Sequence, residues 1–403
     1  RKNYFYPDLP KAYQISMYDF PLCQNGWIEI DDPQGGTGKR IRIRRVHLEE
    51  ETAKSTHAGG HSLVDFNRAG LPLMEIVTEP DIETPEEARK YLIKLRAILR
   101  HLEVSTADME KGAMRCEPNV SVRPVGTREL GTKVEVKNLN SFRSVKLALD
   151  YEIERQAGLL DAGGEVRQVT MGWDERRGRT VEQRSKEESD DYRYFPEPDL
   201  PILRISPEWV DEMQRRLPEL PDAKRARFVS EYGLSSADAA VLATDREVAA
   251  YFEAAVAAGR EGHVAPRAVA NWLTGELFRL IRSEDIEISQ VLIGPEALAE
   301  LVSLVEGGIV TANTGKVVLA ETFTSGRSPQ EIVAEQGLAQ VSDQDTLAAV
   351  VDGVIAANPD QVTVYRDGKE TLLQWFLGQV MRETRGKANP QMAKALLEKR
   401  LNA

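Results

Sequence analysis

Cysteine is almost absent from these 403 residues: Cys23 and Cys116 are the whole complement. Two cysteines make no disulfide framework, and no Cys-x-x-Cys pair offers a zinc site, so a reduced, cytoplasmic setting is expected. No apolar run approaches the ~18 residues that cross a membrane, which leaves no membrane partner to expect. The five histidines, His47, His57, His61, His101 and His263, form no His-Glu-x-x-His, and no Ser/His/Asp or Cys/His pattern for nucleophilic catalysis appears. His57 and His61 stand four apart, but Gly59 and Gly60 between them argue against a metal pair. Positive charge is in deficit as well. A net charge of −12 excludes nucleic-acid binding over the whole surface, while leaving room for a local basic patch. No internal repeat or low-complexity tract is present.

What remains is a normal globular balance, 41% apolar and 29% charged, on a chain long enough for two or three domains. Residues 1–205 hold most of the alternating, strand-like runs, such as Ile28-Glu29-Ile30 and Arg40-Ile41-Arg42-Ile43-Arg44. Two helices interrupt them. One opens at Thr84-Pro85-Glu86-Glu87, a capping box with proline at its first position, and carries Ala88, Tyr91, Leu92, Leu95, Ile98, Leu99 and Leu102 at helical spacing. The other carries Val145, Leu147, Leu149, Ile153 and Leu159. The mixture predicts an α+β fold with antiparallel sheet. From about 207 the chain turns helical and alanine-rich, with helices expected over 223–232, 236–258, 266–283 and 295–306. Shorter ones follow, broken at Gly307-Gly308, Ser325-Gly326, Asn358-Pro359 and Asn389-Pro390. The expected division is 1–205, 206–295 and 296–403.

Two alternating runs carry the chemistry. In Arg115-Cys116-Glu117-Pro118-Asn119-Val120-Ser121-Val122-Arg123, the residues Glu117, Asn119, Ser121 and Arg123 share a strand face. In Lys133 to Arg143, Lys133, Glu135 and Lys137 lie opposite Val134 and Val136, and Asn138 and Asn140 follow. The short connection with two glycines reads as a hairpin. A face so mixed in carboxylates, amides and cations suits a charged, phosphorylated or metal-bound ligand. Upstream, Glu49-Glu50-Glu51 either face solvent or hold a hard cation. Mg²⁺ takes one or two carboxylates and fills its shell with water and phosphate oxygens, and Glu50 with Glu117 would suit it, with Glu49 alongside. Lys54-Ser55 is no Walker motif, and Gly59-Gly60 after it reads as a plain flexible loop or a phosphate-contacting one.

Lys2 and Lys11 in the aromatic-rich opening are surface lysines or holders of anionic groups. The run from Ser185 to Pro201, with Tyr192 and Arg193 at its centre, is a proline-stiffened strap over the sheet or a contact for nucleotide or the terminal adenosine of a tRNA. From Thr371 to Ala403, six Lys/Arg (Arg382, Arg385, Lys387, Lys394, Lys399, Arg400) against Glu383 and Glu398 leave +4, either a solvated helix end or a cradle for phosphate backbone.

Taken together, Arg1 to Asp19, Ser62 to Asp81, Gly131 to Arg143 and Asp190 to Pro201 resemble the GatB family, the B-type subunits of the aspartyl/glutamyl-tRNA amidotransferases. The likeness spans nearly the whole chain. It implies a glutamine synthetase-like N-terminal antiparallel cradle, a helical domain, and a YqeY-like tail that grips tRNA through Arg382, Arg385, Lys387 and Lys394. It implies that ATP with Mg²⁺ phosphorylates the side-chain carboxylate of misacylated Glu-tRNA(Gln) or Asp-tRNA(Asn), activating a poor electrophile, and that ammonia then displaces phosphate. The implied partners are the amidase subunit that makes the ammonia, the small third subunit of the same amidotransferase, and the non-discriminating aminoacyl-tRNA synthetase. By resemblance Glu50 is a metal ligand and tunnel gate, Lys2 and Lys11 line the ammonia path, and Glu117 and Asn119 match the family's Arg-Cys-Asp-Ala-Asn motif. ATP falls to the polar face: Lys54, Ser55, Ser121, Arg123, Glu135, Lys137, Asn138 and Asn140.

The chain departs from the pattern with Glu51 for the usual Asp, Thr52-Ala53 for Ala-Gly, and Glu117-Pro118 for Asp-Ala. It also starts after the family's Gly-Leu-Glu-x-His strand, so truncation is expected and an intact metal set needs residues beyond this sequence. Two other readings compete with the amidotransferase. One is a tRNA-binding scaffold with an incomplete pocket. The other is a free-standing carboxylate–amine ligase, which the basic tail opposes.

Overall fold

The computed structural model describes residues 1–31, 38–185, 192–339, 344–384, 386 and 388–402. Of the residues expected to bind tRNA, Arg385 and Lys387 lie outside the described residues, as does the 186–191 part of the strap. The chain divides into two units, Arg1–Pro218 and Glu219–Ala403. No helix among the described residues is long and apolar enough to cross a membrane.

Among the described residues the first unit is α+β, built on four small sheets. β1 (Lys2–Asn3) pairs antiparallel with β2 (Tyr13–Gln14). β3 (Cys23–Ile30), β4 (Lys39–Glu50) and β7 (Pro72–Thr78) form an antiparallel sheet in the order β3-β4-β7. The Lys54–Ser55 region is regular rather than a plain loop. It belongs to a hairpin, β5 (Lys54–Ala58) and β6 (His61–Asp65), whose turn is Gly59-Gly60 with both φ positive, as a two-residue hairpin turn requires. After α1 (Pro85–His101) come β8 (Asn119–Val120), β9 (Val134–Lys137), α2 (Phe142–Asp161), β10 (Val169–Asp174) and β11 (Arg179–Ser185), giving a sheet β11-β10-β9-β8. The expected hairpin is β8–β9, but its first strand is only two residues long. The expectation of purely antiparallel sheet fails at β9–β10, which run parallel. Parallel neighbours need a crossover of a dozen residues or more, and α2 is that crossover.

Local chemistry explains the helices. The Thr84 hydroxyl accepts from the Glu87 amide, Pro85 occupies the first turn, and Arg100 and His101 end the helix. The Glu87 carboxylate reaches back to the Glu83 amide, one residue before the cap that the capping box predicts. Ser141 caps α2 in the same way. On α2, Leu147 is exposed, and the buried face is Val145, Ala148, Leu149, Glu152 and Gln156. Ile28, Ile30 and Ile41 from one sheet and Val134, Val136, Met171 and Trp173 from the other share a core with Tyr91, Leu92, Leu95 and Leu99 of α1 and with α2. Each such side chain, fully buried, contributes about 1.5–3 kcal/mol. α3 (Pro207–Arg216) buries no residue.

Among the described residues the elements of the second unit are all helices. Its helices are α4 (Pro221–Tyr232), α5 (Ser236–Thr244), α6 (Arg246–Ala258), α7 (Pro266–Trp272), α8 (Phe278–Glu284), α9 (Pro295–Glu306), α10 (Ala312–Ser325), α11 (Pro329–Glu335), α12 (Gln344–Ala356), α13 (Pro359–Arg366), α14 (Leu372–Glu383) and α15 (Pro390–Leu401). The single helix expected over 236–258 is two, because Asp245 accepts from the Glu247 and Val248 amides and starts α6 afresh. A π-turn, Leu273–Leu277, carries α7 into α8. One core runs from Phe228 to Val333, so the boundary expected at 295/296 falls inside it, and α12 to α15 enclose a second core from Leu347 to Leu401.

Candidate functional site

The end of β4 places three successive carboxylates, and each is claimed by a different part of the chain. Strand alternation sends Glu49 to the face that His47 occupies, and antiparallel pairing with β7 sets His47 opposite Glu75. The His47 ring is fully buried. Its Nε2 lies 3.3 Å from Glu49 Oε1 and 3.2 Å from Glu75 Oε2. These three ligand atoms fall within 4.8 Å of one another, the metal-capable group found among the described residues. Glu49 also accepts from the Ser16 hydroxyl (2.7 Å) and from Gln14 Nε2 (3.2 Å).

Glu50 faces the other way. Lys11 Nζ and the Ile15 amide (2.8 Å) donate to its Oε2. Glu51 is buried and takes Arg115 at 2.8 Å and Arg68 at 3.6 Å.

The sheet was expected to bring Glu50 and Glu117 together. Instead Glu50 ends β4 of one sheet, while Glu117 precedes β8 of another and pairs with Lys137 at 3.0 Å. The reason is that alternation fixes faces within a strand but does not decide which sheet a strand joins.

Aromatic rings wall the Glu49 cluster. Tyr18 meets His47 edge-on at 5.8 Å and stacks on Tyr194 at 5.5 Å, with the Arg45 guanidinium 4.1 Å over its ring. Burial, reinforced by the Glu49 charge, pushes the Tyr194 phenol up. Burial does the same to Tyr4, with Asp8 and Glu49 adding to it, raising it to about 12. The strap docks here. Asn3 binds the Tyr192 and Arg193 carbonyls, Lys2 lies 4.9 Å over the Tyr192 ring, and Arg1 clasps Glu197. That clasp holds the Glu197 carboxyl down at about 2. Lys11 likewise sits 4.8 Å over Tyr13.

The residues expected to hold nucleotide fall in three places. Lys54 and Ser55 are exposed on the β5–β6 hairpin. Ser121 and Arg123 follow β8, and Arg123 lines a depression of mixed charge with Lys39, Arg40, Arg42, Asp81 and Glu83. At the end of β9, Thr170 donates to Glu135 (3.1 Å), and Lys137 lies 3.7 Å from Glu135. Asn138 adopts a left-handed φ of 63° that turns its amide onto the Trp173 carbonyl (3.1 Å). Asn138 also borders a second depression with Gly172, Glu175, Arg176 and Gln183. Asn119 and Asn140 are exposed beside them. Cys116 is partly buried, and the loss of solvent around its thiol pushes it up to about 12.

In the tail, Arg382 ends α14 and Lys394 is exposed near Glu398. Sequence reasoning passed over His47, Glu75, Gln14 and Ser16. Glu75 did carry a signal, as a lone charge in the apolar run Pro72 to Val77.

The family model described as "GatB/GatE catalytic domain" matches residues 1–211, and the one described as "GatB domain" matches 250–401. Among curated proteins, the B-type subunit of the aspartyl/glutamyl-tRNA(Asn/Gln) amidotransferase of Roseiflexus sp. (strain RS-1) is 54% identical over 404 residues, covering 100% of this chain and 82% of that protein. Its counterpart in Caldanaerobacter subterraneus is 52% identical over 403 residues, covering 100% of this chain and 84% of its own length. That of Brevibacillus brevis is 48% identical over 405 residues, with the same coverage, 100% and 84%.

Proposed function

Since this chain belongs to the GatB/GatE family, we propose that it works as the GatB component of a tRNA-dependent amidotransferase, a ligase that forms a C–N bond with glutamine as the amide donor. In this reading ATP phosphorylates the side-chain carboxylate of Glu-tRNA(Gln) or Asp-tRNA(Asn), and ammonia from an amidase partner displaces the phosphate. The partners are that amidase, a small third subunit, the misacylated tRNA and its synthetase, in a bacterial cytoplasm. Identity to these relatives along the whole chain, first region included, favours this over a scaffold.

The observation that carries the site is the convergence of Glu49 and Glu75 on His47, beside the Lys11–Glu50 pair. Two carboxylates fit Mg²⁺, which keeps the rest of its shell for water and phosphate. The imidazole suits it less well as a ligand and serves better as a buried donor that orients both carboxylates. A bound Mg²⁺ would supply charge neutralisation on phosphate oxygens. The protein's own part is to hold Glu49 in place with Ser16 and Gln14, and to keep Glu50 closed on Lys11 across the ammonia path. Lys137, Glu135, Asn138 and Asn119 offer the polar face for the nucleotide, within a cradle of glutamine synthetase type. The α12–α15 tail grips tRNA.

The test is phosphate transfer from γ-labelled ATP to Glu-tRNA(Gln), with partner subunits present and both glutamine and ammonia withheld. Wild type should transfer. Glu75→Gln should lose transfer, and once glutamine is restored Glu50→Ala should lose amidation, both with tRNA affinity nearly unchanged. Full activity in both variants would sink the assignment.

A further inference from the structure

Three adjacent carboxylates have three separate sets of partners, and the third has no role in the reading above. Glu51 lies just past the end of β4, and its side chain is 6% exposed. Its backbone closes the 66–71 turn: the Glu51 amide donates to the Leu71 carbonyl (2.8 Å), and the Gly70 amide donates to the Glu51 carbonyl (2.9 Å). From that turn Arg68 reaches back to the Glu51 carboxylate and also donates to the Gly112 carbonyl (2.8 Å). Arg115 comes to the same carboxylate oxygen from the other side. The two arginine side chains are about half-exposed while the acid between them is buried, so one buried negative charge gathers two cations. Two residues further, the Ala53 amide binds the Asp8 carbonyl (3.0 Å), in the segment that carries Lys11.

The segment beyond Arg115 is restrained at several points: Cys116 is partly buried against the core, Pro118 restricts Glu117 to extended conformations, and Asn119 enters β8 against Glu135. A displacement at Arg115 is therefore carried along to Glu117 and Asn119 rather than absorbed. We infer that Glu51 is a positioning residue: through Arg115 and Arg68 it holds the Arg115–Asn119 segment in register with the Glu49–Glu50 end of β4, and so fixes the spacing between the two halves of the proposed site. It touches neither substrate nor nucleotide. The inference rests on the proposed function and deepens it. A misplacement of about 1 Å can cost on the order of a hundredfold in rate, so a brace of this kind acts on kcat.

The test uses the assembled wild-type complex and the same complex carrying Glu51→Gln, Arg115→Gln, or both. ATP-dependent amidation of Glu-tRNA(Gln) is followed to kcat and to KM for ATP and for aminoacyl-tRNA, with thermal midpoints measured in parallel. Each single variant should lower kcat by roughly tenfold or more, with both KM values within about twofold and a midpoint near wild type. The double variant should fall no further than the singles, because both break one clamp. Arg115→Gln decides the matter if Glu51→Gln fails to fold. An unchanged kcat in Arg115→Gln, or losses that multiply in the double variant, would overturn the inference. So would a kcat that falls only in step with a lowered midpoint, which marks a structural brace. A wild-type complex that does not amidate would instead refute the functional reading, and the inference with it.

Discussion

Replacing Glu152 by alanine should unfasten α2 from the sheet it crosses. The Glu152 side chain is fully buried. Its Oε1 accepts from Arg155 Nη2 (2.5 Å) and Gln156 Nε2 (3.0 Å), and its Oε2 from Arg155 Nε (2.9 Å) and the Thr180 hydroxyl (2.9 Å). Gln156 also donates to the Val120 carbonyl (3.3 Å), so the network ties α2 to β11 and to β8, beside Asn119. Alanine strips a partner from Gln156, Thr180 and Arg155 together. A buried donor left unpaired costs about 1–3 kcal/mol, and breaking a buried pair about 3–5 kcal/mol. Here Gln156 keeps Val120, and Arg155 is 29% exposed and can hydrate. The loss is therefore roughly 2–4 kcal/mol, or about 5–15 °C in the melting of a unit this size. Hydrogen exchange read by mass spectrometry reports where the loss falls. Peptides covering 119–136 and 169–183 should lose protection, while those covering 236–323 keep theirs. A loss under about 0.5 kcal/mol, or protection lost evenly across both units, would refute the network's role.

A methyl group added at Gly131 would lie 2.3 Å from the Val122 carbonyl oxygen. Gly131→Ala should therefore destabilise the β8–β9 connection by about 1–3 kcal/mol, checked by urea unfolding, and a neutral result would show that the backbone relaxes there. Arg1 holds the Glu197 carboxyl at about 2, below its ordinary 4.5. An acid shifted down stabilises fully above its ordinary value and loses that contribution as pH falls toward the shifted one. Proteolysis within 192–201 should speed up as pH falls from 4.5 toward 2, and Glu197→Gln should be cut faster at neutral pH with no such window. A flat wild-type profile would contradict the clasp. Deleting residues 344–403 removes a self-contained core and leaves the Phe228–Val333 core whole. Filter binding should show weaker tRNA affinity, and unchanged affinity would place the tRNA grip elsewhere.

The local signals were legible in the residues themselves. Thr84-Pro85 announced α1, the apolar residues from Val145 to Leu159 announced α2, the alternation of Arg40 to Arg44 and of Val134 to Lys137 gave strands and their buried faces, and the motif runs gave the family. What failed was of another kind. The helix expected over 236–258 missed Asp245, because a single capping carboxylate interrupts an apolar pattern without changing its period. Leu147 is among the apolar residues that mark α2 yet is exposed, while Glu152 and Gln156 are buried, since hydrogen bonds offset the cost of burying them. Glu75 and His47 went unnoticed because they are 28 residues apart and only strand register makes them neighbours.

Taken alone, the sequence determined where α1 begins, which runs alternate as strands, that the chain turns helical from about 207, and which family it belongs to, because caps, turns and periodicity act over a few residues. The tertiary structure decided which carboxylate meets which partner. Glu49, Glu50 and Glu51 are chemically alike and adjacent. Only the packing of residues 11–16, 68, 75 and 115 around the end of β4 gives one a histidine, one a lysine and one a pair of arginines.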